Sequence, residues 1–326
     1  MRWPAEALAA QGCDVRVADS SWRLMVTVDS HTGRPRSLMS TLDCDVIVLQ
    51  RLALGAYVDA LPLVQASGVR VVVDVDDDFG SIDPNNAAYA AYHPRTSPAS
   101  NFKHLARACQ VADLVTVSTK ALAGRYGAHG RVRVVPNRVP RKAFQVQPAS
   151  NVLPVVGWAG AVNTHPRDLQ VTRGQVARAV RDTNTRFLHV GPTGGVAEAL
   201  GFDVVASTGL VAHDKWYETI AALDIAIGPL ASTRFNQAKS ALRGLEAAAA
   251  GSAVVASPAE DYRRVARDGV CLLAESPRDW YRHVRKLVVD DAFRADVRGR
   301  AREGAGLHVL EDHVGEWFDA WKGTLK

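Results

Sequence analysis

Lys239, Arg243 and Glu246 fall at i, i+4 and i+7 in the stretch "FNQAKSALRGLEAAAAG", residues 235–251. On a helix that spacing gathers all three on one face, beside an apolar stripe of Ala238, Leu242, Leu245 and Ala249. Asn236 reads as the cap that starts the helix and Gly251 as the left-handed residue that ends it. A lysine in the first helical turn opposes the macrodipole. It makes sense there if an anion sits beside it, because helix N-termini are ready anion sites. A diphosphate would use the N–H groups and Lys239 together. Glu246, two turns on, could accept from two neighbouring hydroxyls, as on a ribose. The same residues also fit a plain solvated face, with an Arg243–Glu246 pair contributing about 0.2–0.5 kcal/mol.

A second group is acidic. "VVVDVDDDF", residues 71–79, runs into Asp74, Asp76, Asp77 and Asp78. Like charges repel by roughly 1 kcal/mol per pair at ~4 Å in water, and several-fold more near a protein surface. A metal, a basic ligand, a wet loop or helix N–H groups must make that density tolerable. Asp74 and Asp76 have a D-x-D spacing that can hold a divalent metal. The other candidates are single residues. His165 and Asp168 in "NTHPRDL" could bind phosphate or a sugar hydroxyl, or Asp168 could simply cap the following helix. Arg51 follows the apolar run "DVIVLQ", and Asn137 and Arg138 lie in a proline-rich stretch. Trp216 and Tyr217 read as core or rim. His31 sits on a Gly/Pro loop with no assignable role.

These groups need elements to place them. Short apolar runs alternate with helix-length segments along the whole chain. "CDVRVA", "DVIVLQ", "VRVVVDV", "DLVTVS" and "VRVVPN" read as strands in the first half. "LPVVGWAG", "TRFLHVG", "DVVAS", "DIAIGPL", "SAVVAS" and "VCLLA" read as strands in the second. Alternation of this kind means parallel sheets with helices on both faces. The pattern occurs twice, joined by "PNRVPRKAFQVQPASNVLP", where four prolines break regular structure. The expected organisation is therefore residues 1–150, residues 151–305, and a last helical stretch over 306–326. Val314, Trp317, Phe318 and Trp321 recur there at helical spacing, so that stretch docks, on the expected reading back onto the first domain. Two doubly wound domains place ligands at their C-terminal strand ends, across a cleft.

The totals agree with such a chain. Its 326 residues suffice for two domains, and 47% hydrophobic with 22% charged residues is a globular composition. A net charge of +5 suits anionic ligands and is too small to argue for nucleic acid. Cys13, Cys44, Cys109 and Cys271 are scattered, as reduced thiols in a cytoplasmic protein are. No run approaches the ~20 apolar residues of a membrane span, and "MRWPAEALAAQG" reads as a charged helix rather than a leader.

"KSALRGLEAAAAGSAVVAS" resembles the donor-site helix of the GT-B glycosyltransferases, in particular the retaining family 4 type, whose pattern is "LEAMACGxPVVAS". Glu246, Gly251 and the strand 253–257 match it. Other pieces come in the family's order. "VVGWAGAVNTHPRDL" is similar to the first strand and glycine loop of the donor domain, and "LDIAIGPL" to the strand that leads, through Pro229, into the donor site. "ADLVTVSTKALAGRYG" and "VRVVPNRV" resemble the end of the acceptor domain. "DYRRVARDGVCLLAESPRDWYRHVRKLVVDDAFRADV" resembles the C-terminal region.

The resemblance implies a glycosyltransferase that moves a sugar from a nucleotide-diphosphate sugar, such as a UDP-sugar, to an acceptor hydroxyl with retention. Glu246 would hold the ribose and Lys239 would neutralise the leaving diphosphate. Gly160 and Ala161 would let backbone approach the phosphates, and His165, Asn236 and Ser240 would complete the donor site. Arg51 and Asn137 would lie on the acceptor side. With Lys239 and helix N–H groups on the developing charge, no catalytic metal or other cofactor is required. The D-x-D is then the minority reading. Asp76, Asp77 and Asp78 become acceptor-side carboxylates, one of which accepts the proton of the attacking hydroxyl. Two other functions remain open: transfer to nucleic-acid acceptors, as in phage-type enzymes, and non-catalytic sugar-nucleotide binding.

There are two departures. The acidic residue that many relatives carry eight positions before the ribose glutamate is Ala238 here, so Asn236 or a backbone amide must serve the sugar hydroxyls. The usual opening strand and its glycine loop are also missing, since "RWPAEALAAQGCDVRV" resembles the helix, Gly turn and second strand that come after them in the family. The expectation is about 15 further residues upstream, a strand and loop, or a first domain closed around the gap.

Overall fold

The computed structural model describes residues 1–18, 24–39, 42–192, 194–202 and 206–325. The chain divides into two compact units. The first comprises Met1–Pro84, Ala88–Pro136 and Glu311–Lys326, and the second Asn85–Ala87 and Asn137–Leu310.

In the first unit an antiparallel hairpin, β1 (Val26–Val28) and β2 (Pro35–Leu38), precedes a parallel sheet. That sheet holds β3 (Val46–Gln50), β4 (Arg70–Val75), β5 (Leu114–Val117) and β6 (Val132–Val134) in consecutive order. β4 is apolar almost throughout because both of its faces are covered. Helices Gly55–Ala66 and Asn101–Val111 supply Leu61, Val64, Leu105 and Ala108 to its core. The C-terminal helix Gly315–Lys322 belongs to this unit and packs on β3 and on helix Arg2–Ala10, burying Trp317 and Trp321.

Residues 13–18, expected as a strand, form none. A strand exists only through a ladder partner, and among the described residues β3 is paired on one side alone. Val17 stays 49% exposed, and the Arg16 guanidinium turns to Asp43 at 3.2 Å. The hairpin β1–β2 has no counterpart among the expected strands. Its turn is built by Asp29, whose carboxylate accepts from the N–H groups of His31 at 3.0 Å and Thr32 at 2.8 Å.

Asp74 is the penultimate residue of the buried β4. It faces Thr116 across the β4–β5 register, and its carboxylate accepts the Thr116 hydroxyl at 2.6 Å. Burial, more than any neighbour, pushes the carboxyl up to about 6. The folded state thus holds the proton more tightly than the unfolded chain. The stability Asp74 contributes is complete below pH ~4 and is lost as pH rises through about 6. Asp74→Asn keeps an acceptor for Thr116 and removes the charge. We expect it to be the more stable form at pH 7 by about 1–3 kcal/mol, and to flatten the pH 4–6 dependence seen in urea unfolding. A variant less stable than wild type at pH 7 would contradict this.

The second unit is a complete doubly wound sheet. β7 (Val155–Ala159), β8 (Arg186–Val190), β9 (Ala206–Ser207), β10 (Ile225–Gly228), β11 (Ala253–Ala256) and β12 (Leu272–Leu273) are all parallel. Their order is β12-β11-β10-β7-β8-β9, so the strand order reverses between β7 and β10. The core joins Val156, Trp158, Phe187, Ile225, Ile227 and Val255 to Trp280, Val284 and Leu287 of helix Pro277–Val289. Of the expected strand "DVVAS", Asp203–Val205 lie outside the described residues.

Candidate functional site

Ligands of open α/β sheets sit beyond the C-terminal strand ends where the order reverses. In the second unit that point is flanked by the turn after β7, which carries Gly160, Ala161 and His165, and by Gly228 and the buried Pro229 after β10. The turn closes on itself, Ala161 O accepting from the N–H groups of Thr164 at 3.1 Å and His165 at 3.0 Å. It is also held from below. Buried His189 stacks on Trp158 and donates its ring N–H to Gly160 O at 2.8 Å. A Cβ on Gly160 would come within 2.5 Å of the Trp158 ring, and one on Gly191 within 2.1 Å of Gly160 O. Gly160 is thus required by the packing beneath it.

The single helix expected from Asn236 to Gly251 is two helices, Arg234–Gln237 and Leu242–Ala249, with Lys239 and Ser240 in the turn between them. Thr233 is the first cap, its hydroxyl accepting the Asn236 N–H at 3.1 Å. The start of the second helix is held by Asp261, whose carboxylate accepts the Ala241 N–H at 2.7 Å. Lys239 therefore stands outside the helical turn, half-buried, with its ammonium 4.5 Å from the centre of the Phe235 ring. Ser240 accepts from the Asn137 amide at 2.9 Å, so Asn137, expected on the acceptor side, meets the donor turn. The Asn236 amide N–H groups go to Asp168 at 2.6 Å and to Ala231 O at 3.1 Å. Its side chain is committed to holding the turn.

Beside these residues a pocket opens at the ends of β7 and β10. Ala159, Gly228, Gly244, Trp216, Arg243 and Tyr262 line it. Tyr262 enters between two glycines: a Cβ on Gly228 would lie 2.8 Å, and one on Gly244 2.7 Å, from its side chain. The Arg243 guanidinium stacks on Trp216 at 4.9 Å and reaches Ala159 O at 3.5 Å. Glu246, on the same helix, is only 5% exposed. Burial raises its carboxyl pKa, against which Arg243 and hydrogen bonds from Trp216 and Tyr217 act. The Tyr217 hydroxyl donates to it at 3.4 Å. The role of Trp216 and Tyr262 at the pocket is visible only in three dimensions, because their positions carry no spacing signal; Arg243 shares a helix with Glu246, as its spacing predicts.

The acidic group belongs to the first unit, at the end of β4. Arg51, just past β3 with a left-handed φ of 52°, grips Asp76 with two N–H groups, its Nε at 2.6 Å. Its guanidinium also lies 5.5 Å from the centre of the Phe79 ring. Asp78 is buried and paired with Arg125. The Asp77 carbonyl accepts from Phe79 N at 3.1 Å. The crowded carboxylates are thus balanced by protein groups: Thr116 on Asp74, Arg51 on Asp76, Arg125 on Asp78.

Residues 153–290 match the model of the glycosyl transferases group 1 family. That match lies within the second unit. The switch point, the Gly160 turn, Lys239 and Glu246 all fall inside it. Solved structures of similar fold include the sucrose-phosphate synthase of Thermosynechococcus elongatus, with 15% identity, 99% of this chain and 92% of that one covered, and a TM-score of 0.65. Anabaena HepE in complex with UDP-glucose has 16% identity, coverage of 85% and 79%, and a TM-score of 0.61. TarM has 12% identity and a TM-score of 0.61, with 85% of this chain covered; the chain spans 54% of TarM's length. A comparison with curated protein sequences finds no match. These likenesses show the fold, which is GT-B. No helix among the described residues is long and apolar enough to cross a membrane.

Proposed function

We propose that this protein transfers a sugar from a nucleotide-diphosphate sugar to an acceptor hydroxyl, with retention and without a catalytic metal. The observation that carries the reading is the group 1 match, laid over a switch point that presents the Gly160 turn, His165, Lys239, the Arg243 pocket and the buried Glu246 on the same helix. A turn of backbone, an ammonium and a ring nitrogen suit a diphosphate, and a buried carboxylate suits a ribose diol. HepE, of similar fold, is in complex with UDP-glucose, which makes a UDP-sugar the first donor to try. Retention rests on the family 4 resemblance of the Glu246 segment.

The metal-free reading is supported by the partners of the acidic group. Asp76 is engaged by Arg51 and Asp74 by Thr116, so binding a cation through this D-x-D would have to displace them. The acceptor hydroxyl would be deprotonated in the first unit, with Asp77 and Asp76 as candidates.

A thermal-shift screen against UDP-, GDP-, ADP- and TDP-sugars tests the donor, since a ligand that binds the folded state raises its melting temperature. NMR of the product anomer tests retention. Stabilisation by none of the four donors would overturn the donor reading. EDTA should leave turnover largely intact. Complete loss, restored by Mn²⁺ or Mg²⁺ and abolished in Asp76→Asn, would revive the metal site.

A further inference from the structure

Asp168 is 2% exposed and takes donors from three separate segments. One oxygen accepts the Ala231 N–H at 2.9 Å, from the loop after β10, and the Asn236 amide at 2.6 Å, from the helix before Lys239. The other accepts His165 Nδ1 at 2.7 Å, from the turn after β7. Trp158 meets the same imidazole edge-on at 6.2 Å, and the ring keeps 21% of its surface exposed. Arg167, two positions on, is exposed. The nearby His189 is occupied elsewhere, with Gly160 O at 2.8 Å and the Ser207 hydroxyl at 3.0 Å.

A carboxylate on Nδ1 fixes both the direction of the ring and the place of its proton. The two nitrogens of an imidazole point apart, so Nε2 is turned away from Asp168. With Nδ1–H committed, Nε2 has no proton to give while the ring is neutral. It donates to a phosphate oxygen only as the imidazolium.

We propose that Asp168 is a positioning residue of the donor site, which sets the tautomer of His165 so that binding a nucleoside diphosphate takes up a proton on Nε2. This rests on the donor reading above. The proton comes from solvent, and the bound anion holds it. The same carboxylate ties the ring to the turn that carries Lys239, whose N–H donates to Asn236 O at 3.1 Å. Both cationic groups thereby depend on one buried anchor.

Asp168→Asn makes a sharp test. Its Oδ1 can still accept from Ala231 and Asn236, while its amide N–H₂ replaces the oxygen facing His165. The amide donates to Nδ1, so the neutral ring carries its proton on Nε2 and can bind phosphate without protonation. Calorimetry across pH 6–9, in buffers of different ionisation enthalpy, counts protons taken up. The probes are UDP, GDP, ADP and TDP, each against its monophosphate.

For the diphosphate that binds best, wild type should take up about one proton. Asp168→Asn and His165→Gln should take up almost none, and each should lose about tenfold in affinity for the diphosphate with little change for the monophosphate. The double variant should be no worse than His165→Gln alone. His165→Gln, at a partly exposed position, remains informative if the Asp168 variant folds poorly. A merely structural Asp168 would weaken both nucleotides together. Diphosphate binding by wild type without proton uptake, or uptake persisting in either variant, would overturn the proposal and leave the donor reading standing. Binding of none of the four diphosphates to wild type would instead overturn the donor reading and this proposal with it.

Discussion

Glu246→Gln should weaken binding of the donor nucleotide by about 10- to 100-fold and raise the melting temperature of the ligand-free protein by about 2–4 °C. The two effects come from one carboxylate. Glu246 is buried, and the hydrogen bond it takes from Tyr217 is long at 3.4 Å. Its pKa is raised, chiefly by burial. A raised carboxyl pKa means that the stability it contributes is complete below its ordinary value near 4.5 and is lost as pH rises through the folded value. Once pH passes that value, the ligand-free protein holds an ionised group in a costly place. Glutamine has the same shape and no charge, so it relieves that cost. It is also a weaker acceptor for a pair of ribose hydroxyls, which is where the affinity goes. Such opposition of stability and function is common at binding sites. Nucleotide titration by calorimetry and melting curves from pH 4 to 8 check the two halves separately. Wild-type nucleotide affinity in the variant would remove Glu246 from the site. A variant that melts lower than wild type at pH 8 would mean that Trp216, Tyr217 and Arg243 fully offset the burial.

The sequence shows most of the second unit, because its central strands β7, β8, β10 and β11 are short, largely apolar runs, each with a neighbour on both sides. "LPVVGWAG" and "DIAIGPL" are β7 and β10, and the turn after the one and the proline after the other flank the switch point. What the sequence does not show are features set by partners distant along the chain. The apparent helix over 236–251 breaks because Asn236 is drawn to Asp168 and Ala241 to Asp261, contacts of 68 and 20 residues' separation. Periodicity sees the apolar stripe and is blind to both. "CDVRVA" has the pattern of a strand and, among the described residues, no ladder to join. Asp168 reads along the chain as a helix cap, a local role, when its three partners lie on three segments. The acidic run is legible as a problem of charge. Its solution is only half visible, since Arg51 precedes the run at a strand end, whereas Arg125 is 47 residues from Asp78.

The entry into β7 rests on another such long-range tie. Arg298, on helix Asp291–Gly306, donates to Gly251 O at 2.6 Å, to Ala149 O at 3.0 Å and to the Asp224 carboxylate at 3.1 Å. The other Asp224 oxygen accepts from Asn151 Nδ2 at 2.7 Å and from Val155 N at 2.9 Å, the first residue of β7. The Asp224 side chain is 3% exposed and that of Arg298 21%. Gly251 adds a close approach, since with a φ of 98° it leaves no room for a Cβ beside Pro148. The segment 148–155 is thus fixed at both ends, and with it the start of the strand whose far end carries the Gly160 turn. Arg298→Met keeps much of the packing and removes every one of these donors. It strands a buried carboxylate, which typically costs about 3–5 kcal/mol. For a unit of this size we expect a drop of roughly 6–12 °C in melting temperature, taking the lower figure. Asp224→Asn in the same chain should recover part of the loss, because the charge that lacked a partner is gone. Calorimetric melting of the single and double variants decides it. A single variant that melts with wild type would show that the pair does not hold the entry to β7. A double variant worse than the single by the full cost of Asp224→Asn alone would show that the two side chains act independently.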